Sequence, residues 1–549
     1  MSGANREAVP PRMAGTTGLT GVGGLIRLIL RRDRVLLPAW VLWLAVIPLG
    51  FVGATEGLYP EAADRLQYAR TTGTNPTFLA LYGPMYDTGL GSIIAQRSGF
   101  IPVVVGLISA LTVVRHTRTE EEAGRRELLG ATVTGRGAGL AAALIVTMAA
   151  NLVLAGLLAA GLAAQGLPVA GSLAFGLQLA AGGCVFAAVA GVAAQLSEGA
   201  GAARGAAVGA LGAAFAVRMA ADVGGAGNGL SWLGWLSPFG WGNRLRAYGG
   251  ERWWTLALVA ALVAVLVAAA GVLSARRDVG AGVLPPRPGP ADAPARLSGV
   301  FGLAWRLQSR PLYGWLAGFA ALGVVYGAVA GGVLDMVDDN PDLAEIFTRL
   351  GGQSAIVDAY FASVMGVLGL IASAYAVSAT LRLRTEEAGQ RAEPLLATAT
   401  GRSRWACGHL LFALAGPVVL LTVAGLAAGV AHGLDTGDPG REVPRVLGAA
   451  LAQLPAVWLV AAIALALFGL LPGPAGGSWA AVAGCALITL FGAALGLDQW
   501  VMDVSPFSHI PKLPGQAFTV APLLWLLAVT AVLSAAGLLG FRRRDLATR

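Results

Sequence analysis

Charged side chains are scarce in this sequence, and their densest groups form two similar segments. Only 12% of the 549 residues are charged. One segment reads Arg118-Thr-Glu-Glu-Glu-Ala-Gly-Arg-Arg-Glu127, and the other reads Arg384-Thr-Glu-Glu-Ala-Gly-Gln-Arg-Ala-Glu393. Glu-Glu-Ala-Gly recurs after 265 residues, and the Thr-x-Thr-Gly-Arg that follows it recurs after 266. Carboxylates and guanidiniums at this density form ion pairs, so the duplication predicts two equivalent surfaces that meet a soluble partner.

The first segment has the spacing of a short amphipathic helix. Glu121 and Glu122 stand four residues before Arg125 and Arg126, the favourable order for ion pairs along a helix. Thr119 and Glu122 have the spacing of a capping box, and Gly135 would permit the turn into the next apolar run. A solvated, self-paired helix would explain the charges, but not the Glu-Leu-Leu and Glu-Pro-Leu-Leu beside them or the recurrence. We expect these residues to contact the partner: Arg118, Glu120, Glu121, Glu122, Gly124, Arg125, Glu127, Arg136, Arg384, Glu386, Glu387, Gly389, Arg391, Glu393 and Arg402.

Residues typical of a catalytic or metal centre do not occur together in the sequence. The four histidines are scattered, and the three cysteines lie in or beside apolar runs without metal-ligand spacing. A P-loop requires Gly-x4-Gly-Lys-Ser/Thr, whereas the single lysine, Lys512, stands in His-Ile-Pro-Lys-Leu-Pro. We therefore expect no enzyme activity, no metal and no bound cofactor in this chain.

The composition is that of a polytopic α-helical membrane protein. Hydrophobic residues make up 56% of the sequence, and many runs are long enough to cross a bilayer as helices. The net charge of +8 does not indicate nucleic-acid binding, because the arginines stand where membrane topology requires them. We predict twelve spans, near residues 35–53, 92–114, 138–164, 169–195, 205–221, 253–273, 312–333, 355–380, 406–430, 448–471, 478–498 and 519–540.

Charge counting orients these spans. With a cytoplasmic N-terminus, the cytoplasmic segments hold 27 arginines and the outer segments hold nine basic residues, as the positive-inside rule requires. The sequence thus predicts a cytoplasmic N-terminus (1–34) with an interfacial helix at 25–32, a six-span half (35–273), a cytoplasmic linker (274–311), a second half (312–540) and a cytoplasmic tail (541–549). Trp305-Arg306-Leu307 is a weaker counterpart of the interfacial helix. Simple flanking charge explains either segment equally well.

The duplication extends through both halves. Ser237-Pro-Phe before span six matches Ser505-Pro-Phe before span twelve, and Arg276-Arg-Asp after span six matches Arg543-Arg-Asp after span twelve. An even number of spans in each half means that both halves enter the membrane from the same side. They are therefore expected to be parallel repeats.

The duplicated segments resemble a motif of type-2 ATP-binding-cassette (ABC) exporter permeases, Glu-x-Glu-x-Gly-Thr-x-Glu-Leu-Leu-x-x-Thr-Pro, found between their second and third spans. This chain has Arg or Gln where the family often has Thr, and Thr-Gly-Arg where it often has Pro. The double-length version with Ser-Pro-Phe is most similar to actinobacterial permeases of the polyketide-antibiotic (tetronasin) type.

The resemblance implies a type-2 permease fold, two coupling helices and two copies of an ABC ATPase that bind ATP and Mg. It also implies outward transport of a small amphipathic substrate across the bacterial plasma membrane. Arg97 and Arg218 are costly inside a membrane and, with Phe239 and Phe507, are candidates for the substrate pathway. A major-facilitator-like drug transporter is the main alternative, since Glu121-Glu-Ala-Gly-Arg-Arg partly imitates its loop motif. A non-transporting membrane scaffold is the third.

Overall fold

The computed structural model describes residues 18–71, 73, 76–130, 132–222, 229–284, 292, 299–338, 353–471, 473–491 and 498–545. Within these ranges the chain is helical and contains no strand. It forms two compact units, Met1–Pro288 and Gly289–Arg549. The division falls inside the predicted linker, of which 285–291 and 293–298 lie outside the described residues.

The first unit contains thirteen α-helices in its described residues. They are α1 (Val22–Arg32), α2 (Leu36–Leu58), α3 (Ala62–Arg70), α4 (Pro76–Tyr82), α5 (Leu90–Arg97), α6 (Ile101–His116), α7 (Arg118–Glu122), α8 (Arg125–Gly130), α9 (Ala138–Ala164), α10 (Val169–Leu196), α11 (Ala200–Asp222), α12 (Pro238–Asn243) and α13 (Thr255–Arg276). Helix α10 is the centre of this unit and packs against α6, α9, α11 and α13. Its small side chains permit this close packing without water-driven hydrophobic association.

The second unit contains nine α-helices in its described residues. They are α14 (Val300–Asp338), α15 (Gln353–Ala388), α16 (Ala392–Leu396), α17 (Arg402–Thr436), α18 (Pro439–Leu451), α19 (Leu454–Leu470), α20 (Ser478–Phe491), α21 (Gln499–Met502) and α22 (Ala521–Arg543). Glycines hold several of these helices together: a Cβ on Gly469 of α19 would lie 1.9 Å from the carbonyl oxygen of Gly537 in α22, and one on Gly327 of α14 would lie 2.3 Å from that of Ala428 in α17. Only glycine allows backbones to approach this closely.

Eleven helical stretches of the described residues are long and apolar enough to cross a membrane, with α6 and α7 counted as one stretch and α18 and α19 as another, which confirms a polytopic all-α membrane protein. Each matches one predicted span. The remaining span, predicted at 478–498, corresponds to the shorter helix α20, beyond which residues 492–497 are not described. Span two, predicted as continuous over 92–114, is wrong in detail because the chain breaks between Arg97 and Ile101 and forms α5 and α6.

The helix predicted at 25–32 is present as α1, which packs against α9, and its position at the membrane interface stays a prediction. Helix α1 ends at Arg32, and the buried carboxylate of Asp33 beyond it lies 2.6 Å from His116 Nε2 and 2.9 Å from an Arg115 guanidinium nitrogen. The weaker counterpart predicted at Trp305–Leu307 is not a separate helix. It belongs to α14, which runs from Val300 through Pro311 without interruption.

Candidate functional site

The first duplicated segment is built from two short helices rather than the single helix predicted. Helix α7 stops at Glu122, and α8 starts at Arg125 after Gly124, whose φ is +68°. A left-handed residue is readily supplied by glycine, and it turns the chain between the two helices. The predicted four-residue ion pairs are therefore wrong: the pairs that form are Glu120–Arg125 at 2.6 Å and Glu121–Arg126.

Glu121 is the centre of a buried ion-pair cluster in the first unit. Its carboxylate accepts hydrogen bonds from Arg277, just beyond α13, at 2.8 and 2.9 Å. Arg118 and Arg126 also donate to it. Arg277 in turn donates from Nε to Gln195 near the end of α10, at 2.7 Å. A single buried carboxylate thus joins the segment to the ends of two other spans.

The neighbouring polar residues attach the segment to further elements. Glu120 pairs with Arg32 of α1, and Glu122 Oε1 accepts the backbone N–H of Ala200 at 2.6 Å, at the start of α11. A carboxylate at a helix N-terminus is favourable because it satisfies a free N–H group. Thr119 Oγ1 accepts from Arg204 at 3.0 Å. The predicted capping box is therefore wrong, since no side chain caps α7.

Gly135 has a different role from the one predicted. Its backbone N–H donates to the Thr20 carbonyl at 2.8 Å, and a Cβ there would lie 2.4 Å from the backbone of Gly18. The glycine is thus required by the close approach of the N-terminal segment rather than by a positive φ.

The second segment repeats part of this arrangement. Glu387 and Arg544, just beyond α22, form a bidentate pair with both distances at 2.6 Å. Glu386 instead pairs within its own neighbourhood, with Arg382 at 2.8 Å and Arg391 at 2.7 Å. Gln390 has a φ of +56° between α15 and α16, where the first segment has Gly124.

These contacts correct the register of the duplication. Glu-Glu-Ala-Gly aligned at 265 residues makes Glu386 the counterpart of Glu121. The ion pairs instead match Glu387 to Glu121 and Glu386 to Glu120, 266 residues apart, while the partners Arg277 and Arg544 are 267 residues apart. Arg402 donates to the Arg544 carbonyl at 2.6 Å, and Arg136 donates to the Arg277 carbonyl. The repeated contacts therefore define how the two segments align. The Glu-Glu-Ala-Gly match at 265 residues differs from this alignment by one residue.

The predicted contact residues separate into a buried set and an exposed set. The buried residues are Arg118, Glu121, Glu386 and Glu387, the partly buried ones are Glu120, Gly124, Arg384 and Arg402, and the exposed ones are Glu122, Arg125, Glu127, Arg136, Gly389, Arg391 and Glu393. Leu128 is 74% exposed, and Pro394, its counterpart at 266 residues, is also exposed. Helices α8 (Arg125–Gly130) and α16 (Ala392–Leu396) are therefore the parts of the two segments that are accessible to another protein. We call these two helices the tips.

The electrostatics of the first tip follow from this separation. Burial lowers the pKa of the Arg126 guanidinium, because the charged form loses hydration. A hydrogen bond to Glu120 raises the pKa of the exposed Arg125. In the second segment, the hydrogen bond to Glu386 likewise raises the pKa of Arg391. All three side chains stay cationic at neutral pH.

The four side chains predicted to line a substrate pathway lie in different surroundings. Arg218 is buried, donates to the Leu81 carbonyl at 3.0 Å and lies 3.7 Å from Asp222. Arg97 is partly buried and donates to Thr55 at 3.3 Å. Phe239 stacks on Phe186 with centroids 5.1 Å apart, and Phe507 is also buried in the core of its unit.

Arg277, Arg544 and Gln195 belong to the site but were not predicted from the sequence. The two arginines belong to the repeated Arg-Arg-Asp landmarks, so the signal for them was present in the duplication. Gln195 carried no such signal, because the end of α19 has no matching glutamine. No group of three or more histidine, cysteine, aspartate or glutamate side chains able to hold a metal ion occurs among the described residues.

Two comparisons with known proteins find multidrug efflux permeases similar to this chain. A family model described as the C-terminal domain of the multidrug efflux system permease Rv1217c matches residues 297–542, which lie within the second unit. The whole chain is 45% identical over 531 residues to the multidrug efflux system permease protein Rv1217c of Mycobacterium tuberculosis (strain ATCC 25618 / H37Rv), and the match covers 96% of each chain.

Proposed function

Because the chain belongs to the family of the multidrug efflux permease Rv1217c, we propose that it is the membrane subunit of an ATP-driven exporter of the ABC type. It spans the bacterial plasma membrane with both termini in the cytoplasm, and it carries amphipathic or hydrophobic compounds outward. The positive-inside distribution of arginine supports this orientation.

The proposal rests on the two exposed tips, each of which lies beside a buried Glu–Arg ion pair of its own unit. Each tip is a short helix with an exposed apolar residue, Leu128 in α8 and Pro394 in α16, beside exposed charges. Each stands on a base of buried ion pairs that fixes it against its own unit. A pre-organised apolar centre with a charged rim is the usual anatomy of a protein-binding surface.

The resemblance of the two segments to the coupling helices of ABC permeases makes the partner an ATPase, and the chain has no P-loop of its own. ATP and Mg are bound by that partner and not by this chain. Two tips in one chain support a complex of two ATPase subunits with one permease. Closure of the ATPase pair on ATP would displace both tips and switch the access of the pathway. The pathway residues Arg97, Arg218, Phe239 and Phe507 stay a prediction.

A pull-down with the candidate ATPase tests the docking surface. Leu128→Asp and Pro394→Asp place a charge at the centre of each tip, and each should weaken binding by about tenfold or more, as loss of a central apolar contact does. Leu434→Asp is the matched control, because Leu434 is 72% exposed at the far end of α17. Undiminished ATPase binding by the Leu128→Asp, Pro394→Asp double variant would refute the assignment.

A further inference from the structure

The same three span ends meet at the buried cluster of each unit. In the first unit, Glu121 lies after span two, Gln195 near the end of span four and Arg277 just beyond span six, and they form one chain of hydrogen bonds. Spans two, four and six run in the same direction, so these ends lie on one side of the membrane. The cluster is therefore the point where half of the spans of the unit converge.

The ends of the three equivalent spans also meet in the second unit, where an aromatic ring takes the place of the glutamine. Glu387 lies at the end of span eight and Arg544 just beyond span twelve. The Arg544 guanidinium also lies over the ring of Phe468 near the end of span ten, 4.9 Å from its centroid. An aromatic face can replace an amide oxygen here because it attracts a cation. The contact between the three ends is thus retained although the partner residue differs.

A second contact repeats beside each cluster. Arg118 donates to the Ser197 carbonyl at 2.7 Å, one residue beyond α10. Arg384 donates to the Gly473 carbonyl at 2.9 Å, shortly beyond α19. In each unit the charged segment is therefore held both to the end of its fourth span and to the end of its sixth.

We propose that the Glu121–Arg277 and Glu387–Arg544 pairs are transmission joints, which carry a displacement of the neighbouring tip into the last span of the same unit. This rests on the proposed function, because it assumes that a partner displaces the tips. Simple stabilisation is a weak reason for such pairs, since an apolar replacement of a buried ion pair is often as stable. A directional, bidentate pair, in contrast, fixes the relative orientation of the two elements it joins.

The test is made in the second unit, where Glu387 and Arg544 form a bidentate pair with both distances at 2.6 Å. The variants are Glu387→Arg, Arg544→Glu and the double exchange, in the full chain with its ATPase in proteoliposomes. The readouts are ATPase copurification, ATP hydrolysis and drug transported per ATP hydrolysed. Each single variant should keep its ATPase but lose transport per ATP by about fivefold or more, the scale of a typical coupling between sites. The double exchange should recover most of it.

Arg445→Gln is the matched control for lost stability. Arg445 pairs with Asp358 and Glu442 in the same unit, has a side chain that is 27% exposed against 14% for Arg544, and is remote in sequence from both tips. It should lower the amount of folded protein without changing transport per ATP. Unchanged transport per ATP in both single variants, with the ATPase bound, would refute the role of the Glu387–Arg544 pair in transmitting the displacement. The proposed function would then be unaffected. Failure of the unsubstituted chain to bind the ATPase would overturn the proposed function itself.

Discussion

Glu121→Gln should be among the most destabilising conservative substitutions in the first unit. The change keeps the shape of the side chain but removes the charge that faces Arg118, Arg126 and Arg277. The carboxylate and two of these guanidiniums are almost fully buried. Removing one partner of a buried ion pair costs about 3–5 kcal/mol, because the remaining charge is left uncompensated. At about 2–4 °C per kcal/mol for a unit of this size, the apparent Tm should fall by roughly 6–20 °C.

Glu120→Gln is the control, one residue away. Glu120 pairs with Arg32 and Arg125, whose side chains are 41% and 48% exposed. Exposed pairs contribute about 0–1 kcal/mol, so the Tm should change by less than about 4 °C. Scanning fluorimetry of the purified protein in detergent measures both shifts. Equal shifts for the two variants would refute the assignment of Glu121 as the buried centre of the cluster.

Three further outcomes follow from single contacts. Gly124→Ala should destabilise the protein by about 1–2 kcal/mol, because the φ of Gly124 is +68°. Gln390→Gly, at the equivalent position, should be neutral or stabilising. Thermal unfolding measures both effects, and equal effects would contradict the shared left-handed turn. Gly469→Ala should reduce the yield of monodisperse protein in size-exclusion chromatography, because its Cβ would meet the Gly537 backbone. Gly484→Ala, with nothing within 4 Å of its Cβ, should have no effect, and equal yields would show that α19 and α22 tolerate separation. Arg218→Met should lower the Tm, because it removes the hydrogen bonds to the Leu81 and Ala80 carbonyls and the ion pair with Asp222. An unchanged Tm together with altered efflux would favour a substrate role for Arg218 instead.

Apolar periodicity and length were sufficient to predict the membrane class and the approximate positions of eleven of the twelve predicted spans. They failed where a local polar contact overrides the apolar pattern. Helix α1 ends at Arg32, and the buried carboxylate of Asp33 beyond it contacts His116 and Arg115 from a distant part of the chain. The same pattern before span seven continues into α14, and hydropathy alone does not separate these outcomes.

The charged segments were identified by their composition, but their roles were not. A helical spacing rule predicted that Glu121 pairs with Arg125, whereas the left-handed turn at Gly124 shifts the pairing by one residue. Arg277, which donates two hydrogen bonds to the Glu121 carboxylate, lies 156 residues away in sequence. Sequence spacing describes neighbours along one helix, so it could not distinguish the buried Glu387 pair from the locally paired Glu386.

The stoichiometry of the complex tests whether each of the two tips binds one ATPase subunit. Native mass spectrometry of the chain coexpressed with its ATPase, in the presence of a non-hydrolysable ATP analogue, should give one permease with two ATPase subunits. The Leu128→Asp or Pro394→Asp variant should each give one permease with one subunit. A permease that stays alone, and whose efflux in cells continues without the ATPase but collapses with a protonophore, would contradict the account and favour a secondary transporter.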